Sequence, residues 1–546
     1  MIRLIFFDVL VSILDIAFLA ILLLIIQFYT NPSSVENLRI SFLFQYPLIP
    51  IIVFFIFFSM KNYFGFSVSR LQLNFVYDVA SRLSQKNMVQ YLDGNYSDYV
   101  NIDSSVNIRK TSQQPIEFGH YVLAGFQQIV SQSILILFTL VAILVYDPVM
   151  FSLLLVILVP PVILIAYLMK KKLNKIRKTI RPLSEKTIQY LKEALSAFVE
   201  SNIYNKKNFF TNRYYSSQSG FNHFLSEQQV VQNMPSRLIE VFAIFGLLVL
   251  ILVHSLTANS SPVSIITIGA FMAAAYKIIP GIVKILSSAG QIKTYEFTLT
   301  DLVENAAIIP LNNDDKISRL QSISFNNVSF NFKNKEILNN CSFTISNGDF
   351  MGLQGMSGKG KTTLVNVLLG FIEPGEGEIF INNISRKNKE RQQFWKRISY
   401  VKQQPLLIHD SILKNITLSE DEVDFKKLEQ ISKVTGLNKE FLAFPEGLDK
   451  VVTENGKNLS GGQCQRIMLA RALYKPFDLL ILDEPFSELD RYSENCLLNY
   501  LNELMLEGKM ILFITHNKES LSYCNKIISL DEKQPASISD IDSRFP

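Results

Sequence analysis

The sequence predicts two domains of different class. Residues 1–303 read as an all-α transmembrane domain with six spanning helices and two long cytoplasmic extensions, and residues 320–546 read as an α/β P-loop domain. Three observations carry this. Apolar runs long enough to cross a bilayer recur six times in the first half. Past a polar linker at 304–319 the pattern changes to short β-like runs alternating with helical ones. One of those strand-to-helix junctions carries a glycine-rich phosphate-binding loop.

At 546 residues the chain is too long for one ordinary domain. Apolar residues make up 48% of it and the mean hydropathy is +0.21, which points to membrane spans. The net charge of +5 gives no support to a nucleic-acid partner. Cys341, Cys464, Cys496 and Cys524 lie in the second half without CxxC spacing, so free cytosolic thiols are expected rather than a zinc site or disulfide framework.

The six apolar segments lie at 9–29, 43–60, 121–146, 149–169, 238–256 and 263–285. The first resembles a signal peptide only in outline, because its apolar stretch is long and no small-residue cleavage site follows. The third and fourth are joined only by Asp147-Pro148, which predicts a helical hairpin, and Pro160-Pro161 should kink the fourth. Residues 61–120 hold six Lys/Arg and 170–236 hold twelve, against Arg39 alone in the opposite loops. That asymmetry places both long segments, and with six crossings both termini, in the cytoplasm of a cell whose inner (cytoplasmic) membrane holds the protein. Residues 64–90 and 171–198 read as membrane helices continued into the cytosol, with turns expected in 93–114 and near 200–207.

Gly355, Met356, Ser357, Gly358, Lys359, Gly360, Lys361 and Thr362 match GxxxxGK[ST], with Thr363 following. The loop follows an apolar strand at Phe350–Gln354 and opens a helix, as phosphate binding requires. Lys361 suits the β- and γ-phosphates of ATP, and Thr362 suits Mg²⁺. The apolar run ending in Asp483-Glu484 reads as a metal-holding carboxylate followed by a general base. Leu459, Ser460, Gly461, Gly462 and Gln463 precede a helix expected from Gln465 and form a second candidate anion site.

This last pentapeptide, with Cys464-Gln465-Arg466 after it, resembles the signature of ATP-binding cassette (ABC) proteins. The resemblance implies further site residues. Phe332 is similar to the aromatic that stacks on adenine. Gln403 resembles the glutamine that senses Mg²⁺, and His516 the switch histidine at the γ-phosphate. Ser487-Glu488-Leu489-Asp490 resembles the loop that contacts the other subunit, although exporters more often carry Ala at the Glu488 position. The layout resembles an exporter-type half-transporter, nearest in look to the lipid-linked oligosaccharide flippases through Tyr276–Pro280 and 410–416. It implies an ATPase that exports or flips an amphipathic or anionic substrate (a lipid-linked sugar, a lipid or a peptide) across a lipid bilayer. It also implies a homodimer, with a heterodimer as the alternative, because each signature serves the other subunit's ATP. An ATP-gated channel or regulatory ATPase on the same fold is the competing reading. Coupling turns are implied at 103–110 and 198–206, beside Gln403.

One intramembrane charge stands apart. Lys277 falls in the inner half of the sixth span. A lysine there either snorkels to the interface or lines a cavity, and a cavity lysine needs a partner. Asp15, at similar depth in the first span, is the expected one.

Overall fold

The computed structural model describes residues 2–30, 48–146, 148–257, 265–299, 318–333, 335–356, 358–438, 445–530 and 537–540. Arg39, Asp147, Ser357, the first residues of the second and sixth spans and most of the linker (304–317) lie outside the described residues. The chain divides into two compact units: Met1–Gly94 with Asp98–Pro310, and Asn95–Ser97 with Leu311–Pro546.

Six long helices carry the first unit: α1 (Ile2–Thr30), α2 (Leu48–Leu92), α3 (Ala124–Tyr146), α4 (Pro148–Ser196), α5 (Lys207–Thr257) and α6 (Ile265–Tyr295). Each predicted span falls on one of them. Among the described residues, Arg3–Ile26, Leu48–Leu92 and Ser104–Val145 are long and apolar enough to cross a membrane. Leu10, Ile13, Ile21, Leu24, Ile51, Phe55 and Phe57 stand exposed on α1 and α2. An apolar surface on helices long enough to span a bilayer suits hydrocarbon, and this is a membrane protein.

α4 runs unbroken through Pro160, Pro161 and Pro182. The expected extension of α4 is present, and the chain turns at 204–206, where Asn205 takes a positive φ of 52°. Along α4, Ile165, Met169, Leu173, Ile176 and Ile180 recur every three or four residues and bury one face against Val231 and Ile239 of α5. α6 packs on α4 at Gly290, where a Cβ would lie 2.8 Å from Leu173 Cδ1. Before α3, Arg109–Gln113 and Phe118–Leu123 wind as π-helix. Arg109, which opens the first of them, is buried, donating to Glu117 Oε2 at 2.8 Å and Ser184 Oγ at 3.3 Å, with its guanidinium over the Phe297 ring.

The second unit contains two sheets. An antiparallel one has the order β2 (Lys335–Ser346), β1 (Ser322–Phe332), β4 (Glu376–Ile381), β5 (Ile384–Ser385). The other has the order β10 (Ser537–Asp540), β9 (Lys526–Ser529), β3 (Phe350–Gln354), β8 (Met510–Ile514), β7 (Leu479–Asp483), β6 (Ile398–Val401). All neighbours in it are parallel except β9 and β10. Every residue of β7 and β8 is buried, as expected where helices cover both faces. Met510, Leu512 and Ile514 face α7 (Lys361–Leu368) through Leu364 and Val365. Ile511 and Phe513, alternating with them, face α8 (Gly461–Tyr474) and α9 (Arg491–Leu506) through Leu469, Leu473, Leu497 and Leu501.

All four cysteines are free; Cys496 is exposed and the other three are buried. Burial pushes the Cys524 thiol up to about 12. A native-state maleimide reaction at neutral pH is therefore expected to label Cys496 alone, with the other three reacting only after denaturation. Mass spectrometry of the labelled peptides checks this, and fast labelling of Cys524 would contradict its burial.

Candidate nucleotide site and intramembrane charges

The parallel sheet explains why motifs far apart in sequence meet. β3 and β7 flank β8, so the residues that follow their carboxyl ends converge: Gly355 after β3, Asp483 at the end of β7, and His516 just past β8. This edge is where open α/β sheets place ligands.

The loop after β3 takes conformations that need glycine. Gly358 has φ +80° and Gly360 has φ +92°. A Cβ on Gly360 would also meet Ile337 O at 3.0 Å. Gly360 caps α7, so the free amides of Lys361, Thr362 and Thr363 open toward the loop. Thr362 is exposed there, and Met356 is 73% exposed. Lys359 lies in the loop beside Gly355, and Ser357 is outside the described residues.

Lys361 is buried, and its Nζ donates to Gly355 O at 2.7 Å. His516 Nε2 lies 2.7 Å from the same Nζ and 3.2 Å from Glu484 Oε1. One ring nitrogen cannot accept from lysine and donate to glutamate together. The Lys361 ammonium can only donate, so Nε2 is the acceptor of that pair. Burial pulls the Lys361 pKa below the usual lysine range, partly opposed by Glu484 and Asp483. Burial pushes the Asp483 carboxyl up, and adjacent Glu484 adds to this, while Lys361 opposes it.

Glu484 takes φ +50°, uncommon for a residue with a Cβ. Two contacts fix it: its amide donates to Ile514 O at 2.9 Å, and its carbonyl accepts from Gln465 Nε2 at 3.3 Å. The cost of such a conformation, about 1–3 kcal/mol, is tolerated only where the surroundings over-determine it. Its carboxylate accepts from Gln403 Nε2 at 2.8 Å. Lys361, Gln403, Asp483, Glu484 and His516 thus form one cluster.

The other predicted residues stand apart from it. Phe332 ends β1 and is 59% exposed, and no contact ties it to the cluster among the described residues. α8 begins at Gly461, four residues before the expected start. The reason is a capping box: Gln463 N donates to Ser460 Oγ at 3.2 Å, and Ser460 N to Gln463 Oε1 at 3.0 Å. Gln463 is thereby a capping residue, and Leu459 packs against the core. Glu488 reaches over the glycines, with Oε2 at 3.0 Å from where a Gly461 Cβ would be. Sequence reasoning missed Gln465, which donates to Glu484 O and Ser487 Oγ and accepts from Glu488 N at 2.8 Å. It also missed Arg466, which holds Asp490 Oδ2 at 2.9 Å. The pair fixes the loop 487–490.

Residues 338–487 match the family model described as "ABC transporter". This segment is an ABC transporter domain. It binds nucleotide. Relatives of the domain include a "Putative export ATP-binding/permease protein" of Rickettsia prowazekii, 34% identical over 260 residues, 46% of this chain and 44% of that one. An "ATP-dependent lipid A-core flippase" of Burkholderia pseudomallei is 34% identical over 214 residues, 38% of this chain and 36% of that one. The chain spans less than half the length of these curated relatives it matches. A bacterial Atm1-family ABC exporter solved with ATP bound superposes with a TM-score of 0.81 at 16% identity, over 98% of this chain and 95% of that one. The fold of the whole chain is therefore that of an ABC exporter, a six-helix membrane domain followed by the ABC domain.

In the membrane unit, Asp15 and Lys277 meet as the sequence suggested. Lys277 Nζ donates to Asp15 Oδ2 at 3.0 Å. A third member was not foreseen: buried Lys61 of α2 donates to Asp15 Oδ1.

Proposed function

We propose that the protein couples ATP hydrolysis to the export or flipping of an amphipathic substrate across the cytoplasmic membrane. The observation that carries this is the cluster of Lys361, Asp483, Glu484, Gln403 and His516 at the carboxyl edge of the parallel sheet, on the same chain as six long helices, of which three helical segments among the described residues are long and apolar enough to cross a membrane. The exporter fold and the names of the curated relatives support it.

In this reading the loop amides and Lys361 hold the β- and γ-phosphates. Glu484 takes the proton of the attacking water, and Gln403 holds its carboxylate in place. Thr362, Asp483 and Gln403 supply oxygen donors that suit Mg²⁺, and a buried carboxyl whose charge is disfavoured is one a divalent cation stabilises. The metal, when bound, neutralises charge on the phosphates.

The chain acts as a homodimer. One copy has one phosphate loop and one Ser460–Gly462 helix start, so a second copy completes each site. Both termini lie in the cytoplasm, following the basic residues of the long segments.

The test is transport by the purified protein in proteoliposomes. ATP-dependent accumulation of a labelled lipid against its leaflet gradient is expected, from particles with the mass of two 62.3 kDa chains. Movement only down a gradient, without hydrolysis, would favour the channel reading. Full-rate hydrolysis by a monomer would overturn the paired-site arrangement.

A further inference from the structure

We propose that Asp15, Lys61 and Lys277 form an intramembrane site for the phosphate group of an amphipathic ligand, with the Asp15 carboxylate holding its place until it arrives. That the ligand is the transported substrate rests on the export reading above; the site itself rests on the geometry.

The three residues come from three helices at one level. Asp15 lies in α1, Lys61 in α2 and Lys277 in α6. At about 1.5 Å per residue they sit roughly 18–22 Å in from the helix ends at Thr30, Leu48 and Ile265. Alternating crossings put those three ends on one side. In a hydrocarbon core of about 30 Å all three charges are then well inside it. Charges there are costly and persist where they face a partner or a wet cavity.

The charge does not balance. Asp15 uses both carboxylate oxygens, one on each lysine. Among the described residues no other carboxylate pairs with Lys61 or Lys277. Two ammonium groups facing one carboxylate leave a surplus positive charge. Each ammonium has three donors, and one from each reaches Asp15. The lysines are not equivalent: the Lys61 side chain is 7% exposed and stands over the Phe58 ring, while Lys277 is 23% exposed. The triad is therefore anchored on the α2 side and open on the α6 side. A tetrahedral phosphate offers three oxygens and up to two negative charges. It can accept from both ammonium groups at once and satisfy the surplus that Asp15 leaves. A neutral headgroup gains nothing from that exchange.

The experiment uses the full chain, nucleotide-free, in detergent micelles. The probes are a fluorophore-labelled phosphatidic acid and the matching labelled diacylglycerol, read by anisotropy. The wild type is expected to hold phosphatidic acid at least about tenfold more tightly, the scale of one charge-assisted hydrogen bond. Lys61→Gln and Lys277→Gln should lose the preference, and Asp15→Asn, which removes the competitor, should strengthen binding. The opposite signs separate a ligand site from a structural ion pair, in which all three variants would weaken the protein alike. Millimolar inorganic phosphate should leave the lipid bound; its displacement would overturn the amphiphile assignment in favour of free phosphate. Equal affinity for the two lipids, or weaker binding in Asp15→Asn, would overturn the site. If a lysine variant does not fold, the wild-type pair of probes and Asp15→Asn still decide. Selective binding without ATP-driven movement of phosphatidic acid would overturn the ligand's assignment as transported substrate and leave the site standing.

Discussion

Glu484→Gln is expected to lower ATP turnover by roughly 10²–10⁴-fold, the usual contribution of a positioned general base, while nucleotide still binds. The backbone contacts at 484 do not involve the carboxylate: the amide donates to Ile514 O and the carbonyl accepts from Gln465. The strained φ of +50° therefore survives the change. A glutamine oxygen can still accept from Gln403, so the side chain keeps its place. Proton affinity is what is lost. Removing one charge also relieves Asp483, whose carboxyl Glu484 helps to push up. Phosphate release gives the turnover, and equilibrium binding of a fluorescent ATP analogue gives the affinity. Near-normal turnover would mean that another group activates the water. Weak nucleotide binding would mean that Glu484 holds the site together rather than acting on water.

The same contacts show where the sequence was informative. The phosphate loop was legible because its chemistry is backbone chemistry. Glycines at fixed offsets between an apolar strand and a helix have few other uses, and Gly358 and Gly360 take the positive φ that such a turn needs. Asp483 and Glu484 were legible only together with the phosphate loop about 120 residues upstream, because buried strands often end in acids. The start of α8 was misplaced for a local reason. Gly461 and Gly462 read as breakers, yet Ser460 and Gln463, three apart, form a capping box, worth about 1 kcal/mol, that starts the helix on them. Gln465 was legible only as part of the stretch after the pentapeptide, with no role of its own. Its partners at 484, 487 and 488 are far away in sequence and are brought near only by the sheet order.

The membrane half divides in the same way. Spans follow from apolar length, and the described residues of all six predicted segments lie on helices. The Asp15–Lys277 contact followed from depth, because an isolated charge in hydrocarbon needs a partner. Lys61 was counted with the cytoplasmic residues because it ends an apolar run. α2 continues past it without a break, and the rotation of that helix turns Lys61 toward Asp15. Helix rotation is set by packing between helices, which hydropathy does not encode.

Lys361→Ala is expected to raise the dissociation constant for ATP at least about 100-fold. Two charge-assisted hydrogen bonds to phosphate, at about 1.5–3 kcal/mol each, amount to that loss at about 1.4 kcal/mol per tenfold. Without nucleotide the lysine is costly to the fold. It is buried, its charge is disfavoured there, and its partners are Gly355 O and His516. A lysine pKa lowered in the folded state weakens the fold below that pKa, and the penalty fades as pH rises toward the unfolded value. Lys361→Ala removes this penalty, so the apo melting temperature at neutral pH should not drop by more than a few degrees. The rise in melting temperature caused by ATP, which grows with ligand concentration over the dissociation constant, should vanish. Thermal melts with and without millimolar ATP measure both quantities on one sample. A retained ATP-induced shift would show that the loop amides alone hold the phosphates. A large loss of apo stability would show that Lys361 holds the Gly355 turn and His516 in place before any nucleotide arrives.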